Sequence, residues 1–169
     1  MRSKTANKTR LGRTVVFTLV ALLSLWCGPS GAASRPGGRV LSLPVRWVID
    51  GDTIVLRGGI KVRYVGIDTP EVGEAFYEEA KERNRSLVGR KVVRVVICGA
   101  QPRDVYGRLL GSVYVDGLDV GAVLLREGLA RTLIIPPCGL AHAKEYRGYE
   151  RDARRLGLGI WGTKGSKGR

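Results

Sequence analysis

Histidine and cysteine are scarce in this chain of 169 residues. His142 is the one histidine. Of the three cysteines, Cys27 lies within the first 33 residues, which are described below. Protein zinc sites need three or four Cys, His or acidic ligands gathered around the ion. With two cysteines and one distant histidine left, a zinc site is disfavoured, and His142 is expected to be a surface or capping residue.

The first 33 residues contain no aspartate or glutamate. A basic start is followed by an apolar run over residues 14–27 and by small residues at 30–33. This layout predicts a signal peptide over residues 1–33, cleaved near Ala32 or Ala33, and therefore a secreted or periplasmic protein. The apolar run is shorter than the ~20 residues of a membrane-spanning helix, so no stable membrane association is expected. An uncleaved leader that anchors the protein is the alternative.

Acidic residues are also outnumbered in the rest of the chain. From Ser34 onward there are 24 basic and 15 acidic residues, a balance of +9. Such a balance favours a polyanionic partner through electrostatic steering and the release of counterions. Charge alone does not identify that partner.

The chain has the length of one domain with a modest core, and no internal repeat is found. Residues 34–40 are small, polar and contain proline, so they are predicted to form a flexible leader. The domain is predicted over residues 41–162. The Gly-rich basic tail at residues 163–169 is expected to be disordered.

Short β-branched runs separated by Gly-containing turns predict five strands, at residues 43–49, 53–57, 60–67, 91–98 and 109–115. Helices are predicted at residues 74–88, 119–127 and 141–156. This order is typical of an α+β fold, a five-stranded OB-type β-barrel with three α-helices. OB barrels bind oligonucleotides on their strand surface.

Three short segments carry acids and arginines at strand ends. They are Asp50-Gly51-Asp52-Thr53, RYVGIDTPE at residues 63–71 and DVYGR at residues 104–108. Carboxylates are ligands for hard cations such as Ca²⁺, and a guanidinium group binds phosphate through two hydrogen bonds. A single aspartate in such a segment is more often a turn former, but acids and arginines together suggest phosphodiester chemistry.

At these residues the chain resembles the thermonuclease (staphylococcal nuclease-like) family, whose pattern is DGDT, then R-x4-D-T-P-E, then YGR. The resemblance covers residues 45–161. It implies a secreted Ca²⁺-dependent endonuclease that hydrolyses DNA and RNA with little sequence specificity and leaves 3′-phosphate ends. No protein partner is implied, and a monomer is expected. The alternative is a noncatalytic OB-fold nucleic-acid-binding module.

The resemblance also implies the metal ligands. Asp52 and Asp68 would bind Ca²⁺ together with the main-chain carbonyl of Thr69, and water would complete the shell. Asp50 is expected to cap the turn or to support Asp52.

The same resemblance assigns the catalytic groups. Glu71 is expected to be the base that activates or orients water, while Arg63 and Arg108 flank the scissile phosphate and neutralise its growing charge. Tyr106 is expected to bind substrate. Arg63 and Glu71 are expected to face a solvated cleft, so that removing either leaves the fold intact.

The segment Thr132–Pro136 departs from the family pattern, because family members can carry base-stacking tyrosines there. Val105 likewise stands where a lysine is often found. Base stacking is worth ~1–3 kcal/mol per base, so substrate preference is left open.

Cys98 and Cys138 can form a disulfide in an oxidising compartment, and the sequence alone leaves this about as probable as two buried thiols. The resemblance favours the disulfide, because it places Cys98 at a strand end and Cys138 in the nearby loop after the second helix. Since neither cysteine belongs to the metal or phosphate residues, reduction is expected to lower stability and spare activity.

Overall fold

The computed structural model describes residues 39–99 and 102–162. The signal peptide, nearly all of the leader and the basic tail predicted above lie outside the described residues.

A closed barrel of five strands forms the centre of the fold. The antiparallel pairs are β1–β2, β2–β3, β1–β5 and β5–β6, and the parallel pair β3–β6 closes the barrel. These strands are β1 (Val40–Val48), β2 (Thr53–Leu56), β3 (Lys61–Tyr64), β5 (Val92–Ile97) and β6 (Leu109–Val115). The predicted OB-type α+β fold is therefore confirmed, and β1 takes in Val40, which the sequence assigned to the leader.

The strand predicted at residues 60–67 is in fact two strands. It breaks at Val65, and β4 (Gly66–Asp68) leaves the barrel to pair with β8 (Arg131–Leu133), a strand that was not predicted. Gly66 has φ of 86°, and a Cβ there would lie 2.9 Å from the ring of Tyr146. The break depends on glycine because L side chains rarely adopt this conformation.

Three α-helices accompany the barrel in the described part of the chain, as predicted. They are α1 (Tyr77–Val88), α2 (Val120–Arg126) and α3 (Ala143–Arg155), and a short strand β7 (Leu118–Asp119) precedes α2. The start predicted for α1 at residue 74 is wrong because Phe76 lies in the left-handed region, with φ of 68°. Asp119 caps α2 by accepting the N–H of Ala122 at 3.1 Å. None of the helices within residues 39–99 and 102–162 is long and apolar enough to cross a membrane.

The core fills the barrel and the spaces beneath the helices. Along β5, Val93, Val95 and Ile97 face the core while Val92 and Arg94 are exposed, which is the alternation of a strand with one buried face. From α3, buried Tyr146 reaches Asp119, and its hydroxyl donates at 2.9 Å.

Cys98 and Cys138 form a disulfide with an S–S distance of 2.04 Å. Cys98 directly follows β5, and Cys138 lies in the loop between β8 and the 3-10 turn Leu140–His142. The bond ties this loop to the barrel.

Replacing both cysteines by serine is expected to lower the free energy of unfolding by about 4 kcal/mol, because the bond closes a loop with a sequence separation of 40 residues. Urea denaturation of the oxidised protein and the double variant measures this difference. Equal midpoints and slopes for the two proteins would contradict it.

Candidate active site

The turn between β1 and β2 carries the first two acids of the site. The Asp50 carboxylate accepts the main-chain N–H of Asp52 at 3.0 Å, so it supports the turn as expected. A Cβ on Gly51 would lie 2.7 Å from the side chain of Thr69. Glycine at this position therefore lets the turn approach the loop that follows β4.

Asn84 fastens this turn to α1, and sequence reasoning missed it. Its Nδ2 donates to the main-chain oxygen of Asp50 at 3.0 Å, and its Oδ1 accepts the hydroxyl of Tyr64 at 2.9 Å. Asn84 is fully buried on the same face of α1 as Ala80 and Leu87. A polar residue at helical spacing among apolar ones was the available signal, since buried amides need partners.

Asp52 is 4% exposed and is surrounded by donors. Its Oδ2 accepts the N–H of Thr69 at 2.9 Å and the Thr69 hydroxyl at 3.0 Å, and it lies 2.7 Å from an Arg63 nitrogen. Burial raises the pKa of Asp52 to about 7, Arg63 opposes this rise, and Asp50 adds to it. Arg63 therefore favours the ionised form of Asp52 against the effect of burial.

Arg63 joins Asp52 to Asp68. The second nitrogen of its guanidinium donates to the Asp68 carboxylate at 2.8 Å, and the first also donates to the main-chain oxygens of Tyr64 and Ile67. The Arg63 side chain is 13% exposed. It lines the cavity described below, and it also holds two acids and the strand break together, so the expectation that its removal leaves the fold intact stays a prediction.

The oxygen atoms at this cluster fit a hard divalent cation. Two carboxylates, of Asp52 and Asp68, come within reach of one guanidinium, and the Thr69 carbonyl belongs to the same loop. No group of three or more His, Cys, Asp or Glu side chains suited to a metal occurs in the described part of the chain. Main-chain oxygen and water would therefore supply most of the shell, which Ca²⁺ accepts readily.

Asp104 positions Arg108, and it is the second residue that sequence reasoning missed. Its carboxylate accepts the Arg108 Nε at 2.7 Å, the Arg108 main-chain N–H at 2.9 Å and the Tyr106 N–H at 3.0 Å. Partial burial alone would raise the pKa of Asp104, but these bonds from Arg108 and Tyr106 hold it below the usual value. An aspartate that closes a turn two residues before a tyrosine was the available signal.

A cavity of about 690 Å³ brings the two arginines to one space. Arg63, Tyr106 and Arg108 line the cavity, and so does a group of aliphatic residues that we call the aliphatic wall, formed by Leu133, Ile135, Pro136 and Pro137. Tyr106 is 79% exposed, and the Arg108 guanidinium lies 5.3 Å from its ring centre. An anionic group with an apolar ring fits such a cavity.

The disulfide also lines this cavity. Cys98 and Cys138 therefore share a cavity with Arg63 and Arg108, and the expectation that reduction spares activity stays a prediction. Because the disulfide anchors the loop that carries Pro136 and Pro137, the shape of the aliphatic wall depends on it.

Glu71 lies apart from these contacts. It is exposed on the loop between β4 and α1, where its main-chain N–H donates to the Glu74 carboxylate at 2.9 Å. Within the described residues its carboxylate forms no ion pair with Arg63 or Arg108.

The family model described as "Staphylococcal nuclease homologue" matches residues 61–163, which is more than half of the chain. The chain belongs to this family. The match includes all the expected site residues except Asp52, which lies just before it.

Curated relatives of this nuclease homologue agree with the family model. It is 36% identical over 141 residues to "Endonuclease YncB" of Bacillus subtilis (strain 168), covering 78% of this chain and 67% of that protein. It is 35% identical over 126 residues to "Micrococcal nuclease" of Shigella flexneri, covering 68% of this chain and 70% of that protein. With "SPbeta prophage-derived endonuclease YokF" of B. subtilis (strain 168) the identity is 36% over 126 residues, 69% of this chain but only 43% of that protein.

Asp104→Ala is expected to lower kcat/KM for nucleic-acid cleavage by about 100-fold, because Arg108 and Tyr106 lose the group that positions them. Asp104→Asn keeps an oxygen for the two main-chain N–H groups and loses the ion pair, so a smaller loss is expected. Steady-state kinetics measure the loss in each variant, and circular dichroism spectra check that each is folded. Wild-type turnover in the alanine variant would show that Asp104 positions nothing of catalytic importance.

Proposed function

We propose that this protein is an exported Ca²⁺-dependent endonuclease that hydrolyses phosphodiester bonds of DNA and RNA with little sequence specificity and leaves 3′-phosphate ends. Family membership supports the coarser statement, a nuclease of the hydrolase class acting on nucleic acids. The observation that carries the proposal is Arg63, which contacts both Asp52 and Asp68 and lines the same cavity as Arg108.

The two arginines are assigned to the phosphate. Charge on the nonbridging oxygens grows in the transition state of phosphoryl transfer, and fixed guanidinium groups stabilise it without reorganising. Asp104 holds Arg108 in a fixed geometry, and the Tyr64 and Ile67 carbonyls hold Arg63. Removing one such donor costs about 3–4 kcal/mol of barrier lowering.

Asp52, Asp68 and the Thr69 carbonyl are assigned to Ca²⁺. When bound, the cation supplies positive charge beside the phosphate and favours the ionised form of Asp52. The Thr69 N–H and hydroxyl orient the Asp52 carboxylate, and Gly51 allows the two segments to meet.

Glu71 is assigned as the base for the attacking water. Its position on the exposed loop directly after Thr69 and Pro70 leaves its carboxylate open to solvent, from which the water comes. Catalytic hydrogen bonds often form only in the substrate complex, so the absence of a contact between Glu71 and the arginines is compatible with this role.

The cavity supports the lack of sequence specificity. Its aliphatic wall has no row of side-chain donors or acceptors that would distinguish one base from another. Apolar contact with a base face is available to every base, whereas base selection needs hydrogen bonds to base edges.

Export is supported by two independent features. The first 33 residues have the layout of a signal peptide, and Cys98 and Cys138 form a disulfide of the kind that persists in oxidising compartments.

The purified mature protein is expected to degrade plasmid DNA and RNA with Ca²⁺ and to stop when a chelator is added. The new 3′ ends should be ligated to a 5′-phosphorylated adaptor only after a phosphatase has removed the 3′-phosphate. Glu71→Gln is expected to lower the rate by at least about 100-fold, since it removes the base and keeps the shape. Glu78→Gln, at an exposed position in the first turn of α1, is the matched control and should retain activity.

Asp52→Asn is expected to weaken Ca²⁺ binding measured by calorimetry as well as activity, because a carboxylate ligand is lost. Tight nucleic-acid binding without cleavage under any metal would instead support a noncatalytic module.

A further inference from the structure

The outer face of the β1–β2–β3 sheet continues away from the proposed active site as a basic and aromatic surface. Cross-strand partners share a face, so Thr53 and Arg63 form one row and Trp47, Val55 and Lys61 form the next. Residues two apart on one strand point the same way, about 7 Å apart. Lys61 therefore lies one step from Arg63 on the same face.

A β-bulge shapes this surface. The register shifts between Val45 and Trp47, so that Arg46 and Trp47 are both exposed while Val45 and Val48 remain in the core. Bulges re-aim side chains and occur often beside active sites. The Arg46 guanidinium lies 4.9 Å from the centre of the Trp47 ring.

Trp47 has a structural role that leaves much of it exposed. It sits opposite Val55, which is 1% exposed although it lies outside the core cluster, so the indole helps to cover Val55. Trp47 is nevertheless 48% exposed. A leucine at this position could also cover Val55, so that role does not explain why the residue is a tryptophan.

Positive charge accumulates along the same face. Arg46 and Arg57 line a second cavity of about 320 Å³ with Pro44, Val45 and Gly58, and Lys61 is exposed on the next strand. None of these three basic residues forms an ion pair with an acid in the part of the chain that the structure describes. Basic groups around a stacking ring are the arrangement that binds single-stranded nucleic acid.

We propose that this face is a second binding site for the polynucleotide, along which a single strand runs from the scissile phosphate, with a base stacked on Trp47 and phosphates bound by Arg46, Arg57 and Lys61. The inference rests on the proposed nuclease function of the neighbouring cavity. The strand is favoured as occupant because the face is continuous with Arg63 and opposite in charge to phosphate.

Binding of a fluorescein-labelled single-stranded DNA 20-mer, measured by anisotropy in excess chelator, tests the site without cleavage. Trp47→Leu is expected to raise Kd about tenfold, and Trp47→Phe should keep most of the affinity. Arg57→Gln should weaken binding and reduce the slope of log K against log salt by about 0.7. Melting curves check that each variant is folded.

Arg155→Gln is the charge-matched control. Arg155 pairs with Asp152 on α3, a helix that packs against α2 and β8. Wild-type affinity is expected for this variant. If Trp47→Leu and Arg57→Gln also bind as the wild type does, or if all three weaken binding equally, the proposal is overturned.

Cleavage kinetics separate this proposal from the nuclease assignment. A dinucleotide fills only the cavity, so Trp47→Leu should lower kcat/KM for the 20-mer and leave that for the dinucleotide unchanged. If the wild type cleaves neither substrate, the proposed function fails, and the anisotropy measurement still decides the binding site. Equal loss on both substrates would mean that Trp47 acts on the cavity rather than along the strand.

Discussion

The ion pairs of Arg63 with Asp52 and Asp68 are the interaction on which the proposed site depends. Arg63 lies on β3, which pairs with β2 on one side and with β6 on the other. Asp52 precedes β2, and Asp68 ends β4. The Arg63 guanidinium thus connects the β1–β2 turn to the strand break, and the main chain of Arg63 belongs to the strand pair that closes the barrel.

Burial makes the ion pairs of Arg63 costly to break. Asp52 is buried enough that its pKa rises to about 7, and removing one partner of a buried ion pair costs about 3–5 kcal/mol because the other charge is left uncompensated. The surrounding residues reduce that cost through hydrogen bonds: Thr69 to Asp52, the Tyr64 and Ile67 carbonyls to Arg63, and Asn84 to the turn. Substitution of Arg63 is therefore a structural change as well as a chemical one, which makes exposed Glu71 the clearer catalytic probe.

The sequence predicted the barrel because its signals are local. Alternating β-branched residues and glycine turns identify β5 and β6 within a residue or two, and Asp119 followed by Gly128 brackets α2. The pairing of β4 with β8 could not be predicted in this way, since Arg131–Leu133 is too short for a pattern and Gly66 is needed there only because Tyr146 approaches from α3. The acids and arginines were found through their motif. Other features could not be predicted, because they depend on contacts that form only in the folded chain. These are the partners Asn84 and Asp104, the burial of Arg63 and the position of the disulfide in the cavity wall.

A crystal structure with Ca²⁺ and a noncleavable dinucleotide analogue would test the central claim most directly. The account predicts Ca²⁺ in contact with the Asp52 and Asp68 carboxylates and the Thr69 carbonyl, and a phosphate that touches both Arg63 and Arg108. A cation bound away from both acids, or a phosphate that touches neither arginine, would contradict it.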